Sequence, residues 1–233
     1  MIYTRGNLYR FARIKKFFYH KGETEMKKIL SLILALIMML SCASMIFADD
    51  TVITDEAPVE VDETASAYYE AVQFLVAYDI MHGKGEGVLG VYDDIQRYEM
   101  ALFMGRILTG WTDDTTWEDG ILNSSEFTDL AGTAAEKYYG AISYVNQKGV
   151  IEGYGNGKFG PTDGITYQDA LTMAVRALGY NDLAYPWGYI ETAINLGLDD
   201  GITGVLFTDT LKREVVAQII YNTLFATNKA GTT

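Results

Sequence analysis

Residues 141–180 read AISYVNQKGVIEGYGNGKFGPTDGITYQDALTMAVRALGY, and residues 71–110 read AVQFLVAYDIMHGKGEGVLGVYDDIQRYEMALFMGRILTG. The two stretches lie on each other without a gap. Gly83, Gly85, Gly87 and Gly90 fall on Gly153, Gly155, Gly157 and Gly160, while Asp93, Ile95, Arg106 and Leu108 fall on Asp163, Ile165, Arg176 and Leu178. Self-similarity at a spacing of tens of residues marks a repeat architecture. A third copy follows. Tyr189-Ile190, Gly197-Leu198 and Leu211 to Leu224 match Ala141-Ile142, Gly149-Val150 and Ile165 to Leu178, with a shorter loop between them.

Each copy repeats one local grammar. A first segment carries apolar residues at helical spacing: Ala71, Phe74, Leu75 and Tyr78 in copy one, Ala141, Tyr144 and Val145 in copy two. That spacing predicts an amphipathic helix. A glycine-rich loop ends it, and a second helix is predicted to start near Gln96, Thr166 and Lys212. Thr166 with Asp169 fits a capping box. The fold class is therefore all-α, built from three helix–loop–helix copies at 65–110, 127–180 and 181–226, with a tail at 227–233. About three such copies are needed for stability, because one helix pair cannot bury its apolar face alone.

Outside the copies the chain changes character. Met26 to Ala48 reads as a secretory signal: Lys27 and Lys28 form a positive start, Ile29 to Leu40 is apolar except for Ser31, and small residues follow. The apolar run is short for a membrane span. The mature chain is expected to begin near Asp49, soluble and at the cell surface. The competing reading is lipidation at Cys42, which follows the poorly matching Met39-Leu40-Ser41. Residues 1–25 are basic and aromatic, and they read as leader DNA translated ahead of a start at Met26. Asp49 to Thr64 is an acidic linker without helical periodicity. A second acidic stretch, 111–126, holds Trp111 and Trp117.

Charge and composition exclude several functions. The net charge is −13, and removal of residues 1–48 takes away eight basic and two acidic residues to leave −19. Phosphate binding needs clustered Lys and Arg, so nucleic acid is not a partner, and an anionic membrane is disfavoured for the mature chain on the same ground. Cys42 is the one cysteine, and His20 and His82 are the two histidines. A zinc site of Cys and His and a cysteine nucleophile are excluded in the mature chain, and a histidine-based triad would have only His82 to work with. The G-x-G-x-x-G at Gly85–Gly90 and Gly155–Gly160 follows a helix and lacks the strand and distal acid of a dinucleotide fold. Asp113 to Asp119 lacks the ligand spacing of a calcium loop. No carboxylate pair stands out as a glycosidase pair. The expectation is a non-catalytic chain with no cofactor and no metal.

The copies resemble S-layer homology domains. Copy two carries that family's pattern most fully: Phe127-Thr128-Asp129-Leu130, Ala141-Ile142, Gly149-Val150, Gly153-Tyr154, Gly157, Phe159, Pro161 and Ile165-Thr166. Copy one shows Gly83, Gly87 and Ile95-Gln96-Arg97-Tyr98-Glu99. Copy three shows Pro186-Trp187-Gly188-Tyr189-Ile190, Leu211-Lys212-Arg213 and Tyr221-Asn222-Thr223-Leu224. The resemblance implies a pseudo-threefold helical bundle. It also implies non-covalent attachment to secondary cell-wall polysaccharide, or another peptidoglycan-linked polymer, through pyruvylated sugars. The alternatives are a surface protein–protein contact or lattice component, and a cell-surface hydrolase.

The family's binding arginine maps to Arg97 in copy one and Arg213 in copy three, whereas copy two has Tyr167 there. A ligand set of Arg97, Arg213, Tyr167, Gly83, Gly153, Tyr154 and Gly157 follows from the resemblance. The chemistry expected at the helix start is an anion site: free N–H groups, the positive dipole end and a bidentate arginine converge on a carboxylate. Glycines in the loop would let a sugar ring approach the backbone. Tyr167 offers a ring for stacking, or a packed helix residue. Glu99 and Asp169 are expected to cap their helices. Arg97→Ala is expected to cost affinity with little loss of stability.

Overall fold

A computed structural model describes residues 62–85, 87–110 and 127–231. The leader, the export signal with Cys42, linker residues up to 61 and the 111–126 connector with its two tryptophans lie outside the described residues. Within them the chain forms six α-helices: α1 Tyr69–Ala77, α2 Arg97–Thr109, α3 Tyr139–Gln147, α4 Tyr167–Ala177, α5 Trp187–Asn195 and α6 Arg213–Phe225. Short 3-10 turns at Glu63–Ala65 and Glu136–Tyr138 precede α1 and α3. No β-strand occurs among the described residues, only isolated bridges. The protein is all-α there, as the periodicity predicts.

The helix starts fall where the caps place them. Gln96, Thr166 and Lys212 are the N-cap residues of α2, α4 and α6, each in extended conformation. In α2 the Glu99 carboxylate accepts from the Gln96 amide at 2.9 Å, the reciprocal half of a capping box. In α4 the Thr166 hydroxyl accepts from the Asp169 amide at 3.3 Å. Gly110, at φ 69°, ends α2 in the left-handed region that favours glycine.

Among the described residues the main helix pairs form between copies. The first helix of copy two, α3, packs on α2 of copy one; α5 of copy three packs on α4 of copy two; and α1 of copy one packs on α6 of copy three. The core runs through all three copies, with Leu75, Met100, Met104, Ile142, Leu171, Tyr189, Val216 and Ile220 buried together. Each Å² of apolar surface removed from water stabilises the fold by about 25 cal/mol, so the shared core ties the stability of each copy to the others. The end of α1 is held by Arg106, which donates to the Ile80 carbonyl at 2.6 Å. Asn222, its counterpart in copy three, donates to Leu198 O and Asp200 O at 3.0 and 2.9 Å. Arg176 of copy two reaches Glu152 at 3.1 Å instead.

Asp62 to Thr64, assigned from sequence to the linker, are folded. Glu63 accepts from the amides of Leu89, Gly90 and Val91 at 3.0, 2.6 and 3.2 Å. Three convergent N–H donors hold one carboxylate and fix the copy-one loop.

Candidate functional site

Where each second helix begins, it meets the loop of a different copy. The residue before the helix start joins a closed cycle of amides and carbonyls. Ile95 N donates to Leu211 O at 3.0 Å, Leu211 N to Ile165 O at 3.0 Å, and Ile165 N to Ile95 O at 3.1 Å. The first helical amides form a second cycle that runs the opposite way round: Arg97 N to Asp163 O, Tyr167 N to Asp209 O and Arg213 N to Asp93 O, at 2.9, 3.0 and 3.0 Å. The second amides do likewise, Tyr98 N to Pro161 O, Gln168 N to Phe207 O and Glu214 N to Val91 O. The four orphan amides of a helix start need partners, and here carbonyls from another copy supply two of them. The expectation of free N–H groups gathered for an anion therefore fails. Any anion must be held by side chains.

The arginines follow the same cross-copy rule. Arg97 Nε donates to Phe159 O and Nη2 to Glu152 O, both at 3.0 Å, so it clamps the copy-two loop. Its guanidinium lies 4.6 Å from the Tyr154 ring centroid and 5.2 Å from that of Phe159, within cation–π range. Nη1 stands 3.9 Å from Asp169 Oδ2, beyond hydrogen-bond distance. Arg213 clamps the copy-one loop the same way, with Nε on Leu89 O at 3.1 Å and Nη2 on His82 O at 2.8 Å. Its Nη1, however, donates to Glu99 Oε1 at 2.6 Å. Burial pushes the Arg213 guanidinium below its ordinary value, and Glu99 opposes that by favouring the charge. Both arginines are buried, 4% and 2% exposed, so Arg97→Ala is expected to cost stability as well as affinity. Its side chain holds a loop.

Tyr167, at the third equivalent place, is 5% exposed and stacks on Phe207 with centroids 5.7 Å apart. Burial, with smaller contributions from Asp199 and Tyr68, pushes its phenol up to about 12. It fills the space that an arginine occupies in the other two copies.

The loops explain their glycines by packing. A Cβ on Gly83 would sit 2.8 Å from Val88 O, and one on Gly153 would overlap Lys158 O and lie 2.6 Å from the Phe127 ring. The tight turns behind them are closed by Lys84 N to Val88 O at 2.8 Å and Tyr154 N to Lys158 O at 2.7 Å. Gly157 adopts φ 70°, where a side chain would be strained. Tyr154 leaves the loop 60% exposed beside Arg97. Burial of part of the ring, partly offset by Arg97, raises its phenol above the ordinary value.

The structure therefore brings Arg97 to the loop of Gly153, Tyr154 and Gly157, and Arg213 to the loop that begins at Gly83, while Tyr167 packs at the third equivalent place. Sequence reading missed three contributors. Asp129 accepts from Phe159 N at 3.0 and 3.1 Å and from Gly160 N at 2.9 Å. Burial raises its carboxyl, but these amides and Lys158 outweigh that and leave it below its ordinary value. Glu63 plays the matching part in copy one, disguised by its place in an acidic run. Tyr185, 54% exposed, donates to Asp169 Oδ1 at 3.0 Å and so brings copy three to the acid that faces Arg97. Among the described residues no cluster of His, Cys, Asp or Glu could hold a metal, and no helix is long and apolar enough to cross a membrane.

The S-layer homology domain model matches residues 61–101 and 126–171. A "Cell surface protein" of Thermoanaerobacter kivui is 32% identical over 195 residues, covering 84% of this chain and 24% of the relative. The "Middle cell wall protein" of Brevibacillus brevis is 29% identical over 184 residues, 76% of this chain and 16% of the relative. A "Surface layer protein" of Brevibacillus choshinensis is 26% identical over 197 residues, 81% of this chain and 16% of the relative. The chain thus spans a quarter or less of the length of these relatives.

Proposed function

Because the chain belongs to the S-layer homology domain family, we propose that it is a non-catalytic anchor that holds to the bacterial cell wall by binding pyruvylated secondary cell-wall polysaccharide. The three copies form a pseudo-threefold bundle in this reading, supported by the rotating hydrogen bonds at Ile95, Ile165 and Leu211. Export through the Met26–Ala48 signal delivers it to the surface.

The observation that carries the reading is the set of contacts around Arg97. A buried cation with one nitrogen outside any hydrogen bond among the described residues sits under an exposed tyrosine. A pyruvyl carboxylate supplies the missing acceptor, and the Tyr154 ring offers its apolar face to the sugar. A charge-assisted hydrogen bond contributes roughly 1.5–3 kcal/mol, so losing it costs about 10- to 100-fold in affinity. Salt screens the net negative field beyond about 8–10 Å, which leaves a local contact intact.

Co-sedimentation with purified wall, before and after removal of the non-peptidoglycan polymer, tests the proposal. Binding is expected only while the polymer is present. Equal binding to stripped wall refutes it.

A different observation favours a second reading, contact with another surface protein. Trp187 is 67% exposed and lines an apolar cleft of about 310 Å³ with Ile190, Ile194 and Phe207. Binding to whole surfaces that survives polymer removal and is lost in Trp187→Ala would support it.

A further inference from the structure

The three helix starts are built to one plan, so their differences can be compared position by position. Arg213 uses all three of its nitrogens. Two hold loop carbonyls, and Nη1 is closed by Glu99 at 2.6 Å. Tyr167 presents no cation at all. Arg97 makes the same two carbonyl bonds as Arg213, yet its Nη1 makes no hydrogen bond among the described residues.

The difference traces to one methylene. The acid facing Arg213 is a glutamate, long enough to place Oε1 on the guanidinium and Oε2 on the Gln96 amide together. The acid facing Arg97, at the equivalent third helical position, is Asp169. Its shorter arm leaves Oδ2 at 3.9 Å from Nη1. Two neighbours hold it back: the Thr166 hydroxyl donates to Oδ2 at 2.8 Å, and the Tyr185 hydroxyl donates to Oδ1 at 3.0 Å. Gln168 Nε2 donates to the Tyr185 oxygen at 3.1 Å and fixes that ring in turn.

We propose that the chain carries a single anion-binding groove, at Arg97, and that the length of the facing acid decides which groove is open: Asp169 leaves Arg97 available to a carboxylate-bearing sugar, and Glu99 closes Arg213. Tyr185 is a positioning residue in this scheme, since it restrains Asp169 without needing to touch the ligand. The proposal rests on the polysaccharide reading for its ligand but not for the asymmetry between the arginines.

Two measurements on the exported chain separate these. The first needs no sugar. In side-chain nitrogen spectra the Nη protons of Arg97 are expected to exchange with solvent faster than those of Arg213, and Asp169→Glu is expected to slow them to the Arg213 rate. The second is a calorimetric titration with a pyruvyl-ketal hexopyranoside. One site per chain is expected. Asp169→Glu is expected to bind at least about tenfold more weakly with no fall in melting temperature, because the added methylene pairs Nη1 internally. Asp169→Asn is expected to bind at least as well as the parent, since it removes the competing carboxylate charge. Two or three sites per chain, or parental affinity in a folded Asp169→Glu variant, overturns the proposal. Equal exchange at the two arginines overturns it as well. Absence of sugar binding with the exchange difference intact refutes the polysaccharide reading and leaves the asymmetry standing.

Discussion

Arg213→Ala is expected to unfold the protein far more readily while teaching nothing about the ligand. The side chain is 2% exposed, and it donates to Leu89 O, His82 O and Glu99 Oε1. Truncation takes the Arg213 donor from two loop carbonyls and leaves Glu99 a buried carboxylate with the Gln96 amide as its remaining donor among the described residues. Removing one partner of a buried ion pair costs about 3–5 kcal/mol, because the other charge remains desolvated. Against a domain stability of about 5–15 kcal/mol, that is a large share. Urea unfolding followed by far-ultraviolet circular dichroism reads it. With a slope of about 1–3 kcal/mol per molar urea, the midpoint should fall by roughly 1–5 M. Glu99→Gln keeps an acceptor for Arg213 and should cost less. The double variant should lose less than the two single losses together, because the pair is coupled. A loss below about 1 kcal/mol in Arg213→Ala would refute the clamp, since such a value fits a solvated surface side chain.

Three further outcomes follow from the same geometry. Gly153→Ala should destabilise by about 2 kcal/mol or more, since the added carbon meets the Lys158 carbonyl, and Gly132→Ala, where the added carbon meets nothing within 4 Å, should cost less in parallel melts. The Tyr167 phenol ionises at about 12 in the folded chain against about 10 when unfolded, so its stabilisation is complete below pH 10 and disappears between pH 10 and 12. Over that window the parent should lose about 2 kcal/mol more than Tyr167→Phe in denaturant titrations. Asp129 lies below its ordinary value when folded, so it stabilises above the unfolded value of 3.8 and ceases to do so as pH falls through the lower folded value. Melting temperatures of the parent and Asp129→Asn should differ at pH 7 and converge on acidification.

The helices were legible in the sequence because local signals specify them. Apolar spacing from Ala71 to Tyr78 and the caps at Gln96, Thr166 and Lys212 depend on near neighbours alone. The partners were not legible. An apolar stripe says that a face is buried, not against what, and so the packing of α3 on α2 or of α1 on α6 could not be read from periodicity. The same gap hid the arginines. Arg97 looks like a first-turn surface residue until the Phe159 and Glu152 carbonyls of another copy arrive, 62 and 55 positions away. Glu63 was hidden by composition, since an acid that caps a loop is indistinguishable from its acidic neighbours until the loop folds onto it. The glycine spacing marked the loops as special, but not the packing reason: Gly83 and Gly153 make room for their own turns.

The packing of α1 on α6 has a mechanical meaning. It joins the earliest and the latest helices of the described chain, so the three copies are fastened by a clasp made of their two outermost pieces. A surface anchor is pulled through its backbone. Tension arriving beyond residue 231 first meets the bond from Lys229 N to Leu178 O at 2.9 Å, and then α6 itself. Tension arriving from before Asp62 first meets the Glu63 carboxylate in its loop, and then α1. Both lines of force end at the same clasp. In the proposed anchor, substitutions that loosen α1 from α6 are expected to lower the force at which the described chain yields.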